Sequence, residues 1–294
     1  LLWNIYSDWS NMATMIKIGR CILTIAMLFC VSCEDVDFSG FFYNNNPVND
    51  RVKESLEWNK ANPEKSIIIP GTDYTILVAG DSHVGGIVNL NTFLTQANTT
   101  GASGIVIAGD LTTGHKEDYD VFKQEIDAKT NLPTFFVVGN HDLFFDGWDV
   151  YFDYFGSSTY SFKVNTSEAT DLFICLDTGS GTLGSKQLNW VTDLLEKERK
   201  NVRYCVVITH VNFIREHRTS STNLLVEEVR AILDLCYRHS IDLVITGHDH
   251  NRSEQYFNRT HFLTLDALED DFEHAGYLSL QVKESGLVTT FVGL

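Results

Sequence analysis

Residues 74–83 read YTILVAGDSH, an apolar run that ends in a glycine, an aspartate and a histidine. The run itself predicts a buried strand at Tyr74–Ala79. Gly80 allows a tight turn, and Asp81 and His83, two positions apart, point the same way in extended backbone. A carboxylate and an imidazole on one side of a turn can bind one metal ion. For these residues alone, a turn aspartate beside a surface histidine is an equally good interpretation.

Four more strand-like runs end in side chains that bind metals. These ends are Gly109-Asp110, Gly139-Asn140-His141-Asp142, Thr209-His210 and Gly247-His248-Asp249-His250. Each end alone also fits a turn or a buried histidine. In open α/β sheets, however, the carboxyl ends of the strands meet at one edge, so five such ends predict one shared site. Since the carboxylate of Asp110 can bridge two cations, the pattern favours a two-metal site.

Strands and helices alternate along most of the chain, which predicts crossover connections and largely parallel strands. The predicted strands are 74–79, 104–108, 134–138, 171–176, 204–209 and 241–246, and the predicted helices are 88–97, 116–129, 185–199 and 224–239. The last 40 residues differ, because apolar and polar residues alternate at 262–265, 277–282 and 287–292. This alternation is typical of antiparallel strands. We therefore expect a second sheet packed on the first, with helices outside.

Residues 1–33 are expected to be upstream sequence followed by a signal peptide. The apolar run at 21–32 is too short for a membrane span of about 20 residues but suits a signal-peptide core. Cys33 follows Ser32, as at a bacterial lipoprotein cleavage site, and lipidation of Cys33 would anchor the chain to a membrane. An uncleaved anchor helix is the alternative. Either way, we expect an exported, membrane-anchored protein, periplasmic or on the cell surface.

Residues 34–65 are polar and predict a tether, with room for a short helix at 52–61, so the domain is expected at 66–294. The net charge of −17 argues against a broad basic face for nucleic acids. It also argues against long-range attraction of a polyanion, so attraction for an anionic substrate must come from the metals. Cys175, Cys205 and Cys236 lie in apolar segments and are expected to be buried free thiols.

Together the five strand ends resemble the motifs of the calcineurin-like metallophosphoesterases, over about residues 75–250. The resemblance implies a four-layer α/β/β/α sandwich, in which two mixed β-sheets are flanked by helices. It implies one divalent metal held by Asp81, His83, Asp110 and His250, and another held by Asp110, Asn140, His210 and His248. Manganese, iron, zinc, nickel and cobalt all suit these ligands.

The resemblance also implies a reaction. A hydroxide between the metals would attack the phosphorus of a small-molecule phosphoester. His141 would protonate the leaving alkoxide or stabilise the transition state, and Asp142 would accept a hydrogen bond from His141 and orient its ring.

The spacing from His210 to residues 247–250 is similar to that of the bacterial cyclic-nucleotide phosphodiesterase branch, so we predict a phosphodiesterase. A phosphomonoesterase or nucleotidase stays open, because the pocket walls decide among these substrates. A metal-dependent binding scaffold is the other alternative. Some relatives lose turnover when the histidine of the third motif is absent, so the presence of His141 counts against a scaffold.

Four basic side chains near the motifs are candidates for substrate contact: His115, Arg215, His217 and Arg218. An arginine can bind phosphate through two nitrogens, whereas a solvated loop is the alternative for residues 215–218. Trp148, Tyr151 and Phe155 recur at helical spacing, which favours a stripe that faces the core over a platform for a nucleobase.

Overall fold

The computed structural model describes residues 46–62, 66–215 and 222–294. Its helices are α1 (Val48–Ala61), α2 (Val88–Thr99), α3 (Lys116–Lys129), α4 (Trp148–Phe155), α5 (Gly184–Glu198) and α6 (Val226–His239), with 3₁₀ turns at His141–Asp146 and Arg199–Asn201. Its strands are β1 (Ser66–Ile68), β2 (Tyr74–Ala79), β3 (Gly104–Ala108), β4 (Thr134–Val137), β5 (Tyr160–Asn165), β6 (Thr170–Leu176), β7 (Cys205–Thr209), β8 (Leu243–Thr246), β9 (Ser253–Phe257), β10 (Thr260–Thr264), β11 (Gly276–Lys283) and β12 (Gly286–Gly293). The signal peptide, Cys33, His217 and Arg218 lie outside the described residues.

The strands form two mixed sheets. The larger sheet has the order β1-β5-β6-β7-β8-β10-β9, and the smaller has the order β12-β11-β2-β3-β4. The pairs β2–β3 and β3–β4 are parallel, as are β6–β7 and β7–β8, whereas β11 runs antiparallel to β2. The carboxyl ends of β2, β3 and β4 in the smaller sheet, and of β7 and β8 in the larger, therefore lead into the loops that carry the motif residues.

The two sheets pack face to face because their central strands are apolar on both sides. In β2, Ile76 and Val78 join a core that includes Phe173 and Ile208 of the larger sheet. Leu77 points the other way and packs in a second core, formed with α2, α3 and α4. A third core fills the space between the larger sheet and helices α5 and α6. The order of layers is helices, sheet, sheet, helices, as predicted.

The predicted strands and helices coincide with observed ones, and their ends differ by a few residues. The division into sheets was wrong in one respect. β10 pairs in parallel with β8 in the larger sheet, whereas β11 and β12 extend the smaller sheet beside β2. Alternation of apolar residues shows how a strand is exposed, but it does not show which strand lies next to it. β1, β5 and β9 were also not predicted.

The expected tether is wrong for residues 48–61, because these residues form α1, which packs on the domain. Arg51 is fully buried and forms two hydrogen bonds with Asp177, each of 2.9 Å. Val48 and Val52 are buried beside it, and the indole of Trp148 donates to Glu54 at 2.8 Å. The packing of α1 could not be predicted from its polar sequence, because the helix contacts the domain through a buried ion pair rather than through a broad apolar face.

In the part of the chain that the structure describes, Cys175, Cys205 and Cys236 are buried and form no disulfide, which agrees with the expected buried thiols. Within the described ranges, no helix combines the length and the apolar character that crossing a membrane requires.

Candidate metal centre

The five predicted strand ends meet at one edge of the sandwich, and their backbone is unusual there. Asp81, His83, Asp110, His248 and His250 all have positive φ angles, between 38° and 71°. Such angles are uncommon outside glycine and cost about 1–3 kcal/mol each, so they persist only where the surrounding structure enforces them. Strain of this kind concentrates at functional sites.

Backbone contacts hold the first two strand ends together. The N–H of Asp81 donates to the carbonyl of Gly109 at 3.0 Å, and the N–H of His83 donates to the carbonyl of Asp110 at 3.0 Å. Gly109 itself has a φ of 89°, and a Cβ at this position would lie 2.6 Å from Cγ of His210. A glycine is therefore needed where motifs two and four pack together.

Two clusters of side chains lie at this edge, and a third group that could hold a metal, His83, Asp110 and His141, overlaps both. The first cluster is Asp81, His83 and His250, and the second cluster is Asp110, His210 and His248. In each cluster the possible ligand atoms lie within 4.8 Å of one another. In the first cluster, Nε2 of His250 lies 3.1 Å from Nε2 of His83 and 3.4 Å from Oδ1 of Asp81.

The second cluster adds an amide oxygen to this arrangement. Nε2 of His210 lies 3.1 Å from Oδ2 of Asp110, 3.2 Å from Nδ1 of His248 and 3.2 Å from Oδ1 of Asn140. Oδ2 of Asp110 also lies 3.7 Å from Nε2 of His83. The same carboxylate oxygen thus reaches both clusters, and all seven predicted metal ligands come together.

Hydrogen bonds on the outer side of two rings determine which nitrogen faces the centre. Nδ1 of His210 lies 3.0 Å from the carbonyl of Ala108, so it carries the proton and leaves Nε2 free to bind a metal. Nε2 of His248 lies 3.1 Å from the carbonyl of Thr222, which leaves Nδ1 to face the centre. The backbone N–H of His248 also donates to both oxygens of Asp81, at 2.9 and 3.0 Å.

Burial and charge set the protonation of the metal-free centre. Burial lowers the pKa of His83 to about 3, and burial together with the charge of His210 lowers the pKa of His248 to about 4. Burial also acts to lower the pKa of His210, but the negative charge of Asp110 prevails and raises it to about 9. His83 and His248 therefore offer lone pairs at neutral pH, whereas a metal at His210 would displace a proton.

These residues fit divalent metal ions. Asp81 and Asp110 are almost fully buried, at 0 and 1% exposure, and their nearest cationic partners in the described part of the chain are histidines rather than lysine or arginine. Buried carboxylates without such partners are costly unless a cation binds them. Oxygen and imidazole donors without a thiolate suit the transition metals and zinc.

His141 lies beside both clusters and is partly exposed. Its ring is 4.5 Å from the ring of His83, and its backbone N–H donates to Oδ1 of Asp110 at 2.8 Å. The ring of Phe144 packs against it at 4.7 Å. His141 is therefore placed where it could reach a group bound at the centre.

The predicted contact between Asp142 and His141 was wrong. Asp142 is fully buried and accepts hydrogen bonds from the N–H groups of Thr112, at 3.1 Å, and Gly139, at 2.8 Å. Burial and the charge of Asp110 raise the pKa of Asp142 to about 7. Asp142 thus joins the loops of the second and third motifs, because backbone N–H groups of both loops donate to its carboxylate.

The candidates for substrate contact have different surroundings. His115 is exposed at the start of α3 and stacks on Phe145, with 4.0 Å between the ring centres. Arg215 is nearly buried, with 8% of its side chain exposed, and forms an ion pair with Asp249. A signal for this pair is present in the sequence, because the acidic residue Asp249 stands between two candidate metal-binding histidines.

A family model for the calcineurin-like phosphoesterases matches residues 74–252. The chain is also 26% identical, over 213 residues, to an uncharacterized metallophosphoesterase of Helicobacter pylori. That match covers 70% of this chain and 52% of the other protein. The chain thus spans about half the length of the curated relative it matches.

Two solved structures share the fold. A dimetal phosphatase from Danio rerio superposes with a TM-score of 0.61 at 14% identity, covering 75% of this chain and 96% of that one. GAP50, the anchor in the inner membrane complex of Plasmodium, superposes with a TM-score of 0.60 at 18% identity, covering 76% and 85%. At these identities the similarity shows the fold alone, and it confirms the predicted sandwich of two mixed sheets.

Proposed function

The chain belongs to the calcineurin-like phosphoesterase family, and from this premise we propose that it hydrolyses phosphoester bonds at a two-metal centre. Family and fold together support a hydrolase acting on such bonds. The observation that carries the proposal is the position of Asp110, whose Oδ2 lies 3.7 Å from His83 and 3.1 Å from His210. A carboxylate between two sets of ligands is what a metal pair requires.

In this proposal the ligands divide as the geometry groups them. Asp81, His83 and His250 would hold one divalent ion, His210, His248 and Asn140 would hold the other, and Asp110 would contact both. When bound, the ions supply Lewis-acid activation of water and neutralise charge on the phosphoryl oxygens. Manganese, iron, zinc, nickel and cobalt are all compatible with these donors.

The protein's own contribution to the chemistry centres on His141. Its backbone is fixed on Asp110 and its ring lies between His83 and Phe144, so the imidazole has a defined position beside the clusters. An imidazole there can donate a proton to the oxygen of the leaving group. Asp142 supports this role indirectly, because it ties together the loops that carry Asp110 and His141.

Among phosphoesters we favour diesters, on the resemblance of the His210 to His250 spacing to the cyclic-nucleotide phosphodiesterase branch. A monoesterase or nucleotidase is the alternative. Within the same fold, the Plasmodium neighbour is described as an anchor. The complete set of candidate ligands and the position of His141 both favour an enzyme over a scaffold.

The first test compares two model esters. The purified protein is stripped of metal and reloaded with manganese, and hydrolysis of bis-p-nitrophenyl phosphate is compared with that of p-nitrophenyl phosphate. Manganese-dependent turnover that a chelator abolishes would support the two-metal enzyme, and the ratio of the two rates decides between diesterase and monoesterase. Protein that holds two metals but hydrolyses neither ester, with manganese, iron or zinc, would favour the scaffold.

Export and lipid anchoring at Cys33 form a separate proposal, supported by the apolar run at 21–32 and by Ser32 before the cysteine. The test is incorporation of labelled palmitate during bacterial expression, compared between the wild type and Cys33→Ser. Label that depends on Cys33 would support the anchor. Equal labelling of both chains, or none in either, would contradict it.

A further inference from the structure

We infer that the ion pair between Arg215 and Asp249 positions His248 and so sets the affinity of the second cluster for its metal. Arg215 is then a positioning residue rather than a ligand of the substrate's phosphate. The inference rests on the proposed function only in requiring that the centre binds metals.

Asp249, which lies in sequence between His248 and His250, is held by side chains of the loop that follows His210. Both Nε and Nη2 of Arg215 donate to its carboxylate, the former at 3.3 Å. Nδ2 of Asn212 donates to the same carboxylate at 3.1 Å. Asp249 is therefore held from the loop that follows His210, and the fifth motif is tied to the fourth.

The carbonyl of Thr222 connects Arg215 to His248. It accepts a hydrogen bond from Nη1 of Arg215 at 2.8 Å, and it also lies 3.1 Å from Nε2 of His248. Nη1 of Arg215 donates to Asn223 as well, at 2.9 Å. One guanidinium thus fixes both the residue next to His248 and the carbonyl that holds the proton on Nε2 of His248. That proton leaves Nδ1 facing the second cluster.

The same contacts leave Arg215 little capacity to bind phosphate. A guanidinium has five N–H donors, and hydrogen bonds to Asp249, Thr222 and Asn223 use four of them. With 8% of the side chain exposed, its charge is already neutralised within the protein. A free phosphate group would have to displace a carboxylate held through two nitrogens.

The effect is expected mainly in the second cluster. The carbonyl of Thr222 orients the ring of His248. The ring of His250 is instead held by contacts with Asp81, His83 and Phe272. Loss of groups that orient metal-binding histidines typically weakens metal binding about 10–100-fold. Arg215→Met should therefore leave one metal bound normally and weaken the other by about this factor.

The test is a titration of the metal-free protein with Co²⁺, followed by the visible absorption of bound cobalt and by metal content after dialysis. Arg203→Met is the matched control, because it removes another Arg–Asp pair, with 15% of the arginine side chain exposed, at the opposite end of the strands. The control should lose stability but bind both metals as the wild type does. Two unaltered sites in folded Arg215→Met would overturn the inference.

Kinetics separate a positioning role from a phosphate-binding role. If Arg215 positions His248, the variant needs more metal for half-maximal activity, while KM at saturating metal is unchanged. If Arg215 binds phosphate, KM rises and the metal requirement does not, which would contradict the inference. Arg215→Lys keeps the charge but loses the planar fork of the guanidinium. The metal concentration that it needs for half-maximal activity should therefore lie between those of Arg215→Met and the wild type.

A second variant covers the case in which Arg215→Met does not fold. Asp249→Asn keeps an oxygen that can accept hydrogen bonds from Arg215 and Asn212 but removes the negative charge. It should also weaken metal binding at the second cluster, by a smaller factor than Arg215→Met does. Wild-type affinity at both sites in this variant would overturn the inference. Because the titration needs no turnover, a wild type that binds two metals yet hydrolyses neither ester would end the proposed function without deciding this point.

Discussion

The two ends of the parallel strands both bury charge, but they treat it differently. At the amino ends, Asp171 is fully buried and accepts hydrogen bonds from Arg203, from the hydroxyl of Tyr74 at 2.9 Å and from the N–H of Tyr204 at 3.1 Å. The network closes on itself and joins β2 of one sheet to β6 of the other. Its backbone has no positive φ angles.

At the carboxyl ends, Arg51 matches Asp177, but the buried carboxylates of Asp81 and Asp110 have no lysine or arginine partner in the described part of the chain. Within the described ranges, the cationic partners of Asp81 and Asp110 are histidines, which compete with each other for protons. The backbone is also strained at five of the candidate ligands. A buried carboxylate satisfied by arginine contributes to the fold, whereas one left to histidines is suited to bind a cation.

The strongest test of this contrast is Asp110→Asn. The change removes the only carboxylate shared by the two clusters in the described structure, so it should lower turnover by more than the about 10²–10⁴-fold typical of losing a general acid. The metal content should also fall, because an amide bridges two cations poorly. Turnover is followed with the better of the two p-nitrophenyl esters. Full activity in a variant with wild-type metal content would refute the bridging role.

His141→Asn should separate chemistry from metal binding. The ring of His141 is partly exposed beside the clusters, and its loss should lower kcat by about 10²–10⁴-fold. Both metals should stay bound, since the proposed ligands are unchanged. The measurement pairs kcat with metal content in one preparation. A variant that also loses a metal would show that His141 acts as a ligand instead.

Much of this arrangement is predictable from sequence. Continuous apolar runs indicate strands with both faces buried, and a metal-binding side chain such as Asp81 or His210 at the end of such a run is easy to identify. The convergence of these residues follows from parallel pairing, which the alternation of strands and helices implies. The convergence of the strand ends therefore required no knowledge of distant contacts, whereas the division of the ligands between two metals came from the resemblance to the family.

Other features depended on contacts that no local pattern reveals. Arg51 looks like an ordinary charged residue of an exposed helix, and only its ion pair with Asp177, 126 residues away, buries it. In the same way, Arg215 resembled a phosphate ligand until its partner Asp249 was located. Adjacency in sequence suggests a contact between Asp142 and His141, whereas the Asp142 carboxylate accepts hydrogen bonds from the backbone of Thr112 and Gly139. A pairing of charges is a property of the tertiary structure.

Removing the metals should lower stability through the carboxyl ends alone. A ligand that binds only the folded state stabilises it by about 2.7 kcal/mol per site at a concentration of 100 Kd. With free metal held at 100 Kd, removal of the metal by a chelator should therefore reduce the free energy of unfolding of the wild type by about 2.7 kcal/mol per site, measured by urea denaturation. In Asp110→Asn the chelator should have a much smaller effect. A wild type whose unfolding is indifferent to chelator would argue against bound metals in the folded state.

The smallest effect is expected at the amino ends, from Asp171→Ala. Loss of one partner of a fully buried ion pair costs about 3–5 kcal/mol, and here about 2 kcal/mol is expected because Arg203 keeps 15% of its side chain exposed and can regain water. The loss is measured by urea denaturation in the presence of chelator, so that metal binding does not contribute. The titration with Co²⁺ should be unchanged, since Asp171 and the candidate ligands lie at opposite ends of the strands. If Asp171→Ala lowered the affinity for both metals as strongly as it lowered the free energy of unfolding, the two ends of the strands could not be treated as separate. Buried carboxylates paired with arginine would then not differ in role from those left to histidines.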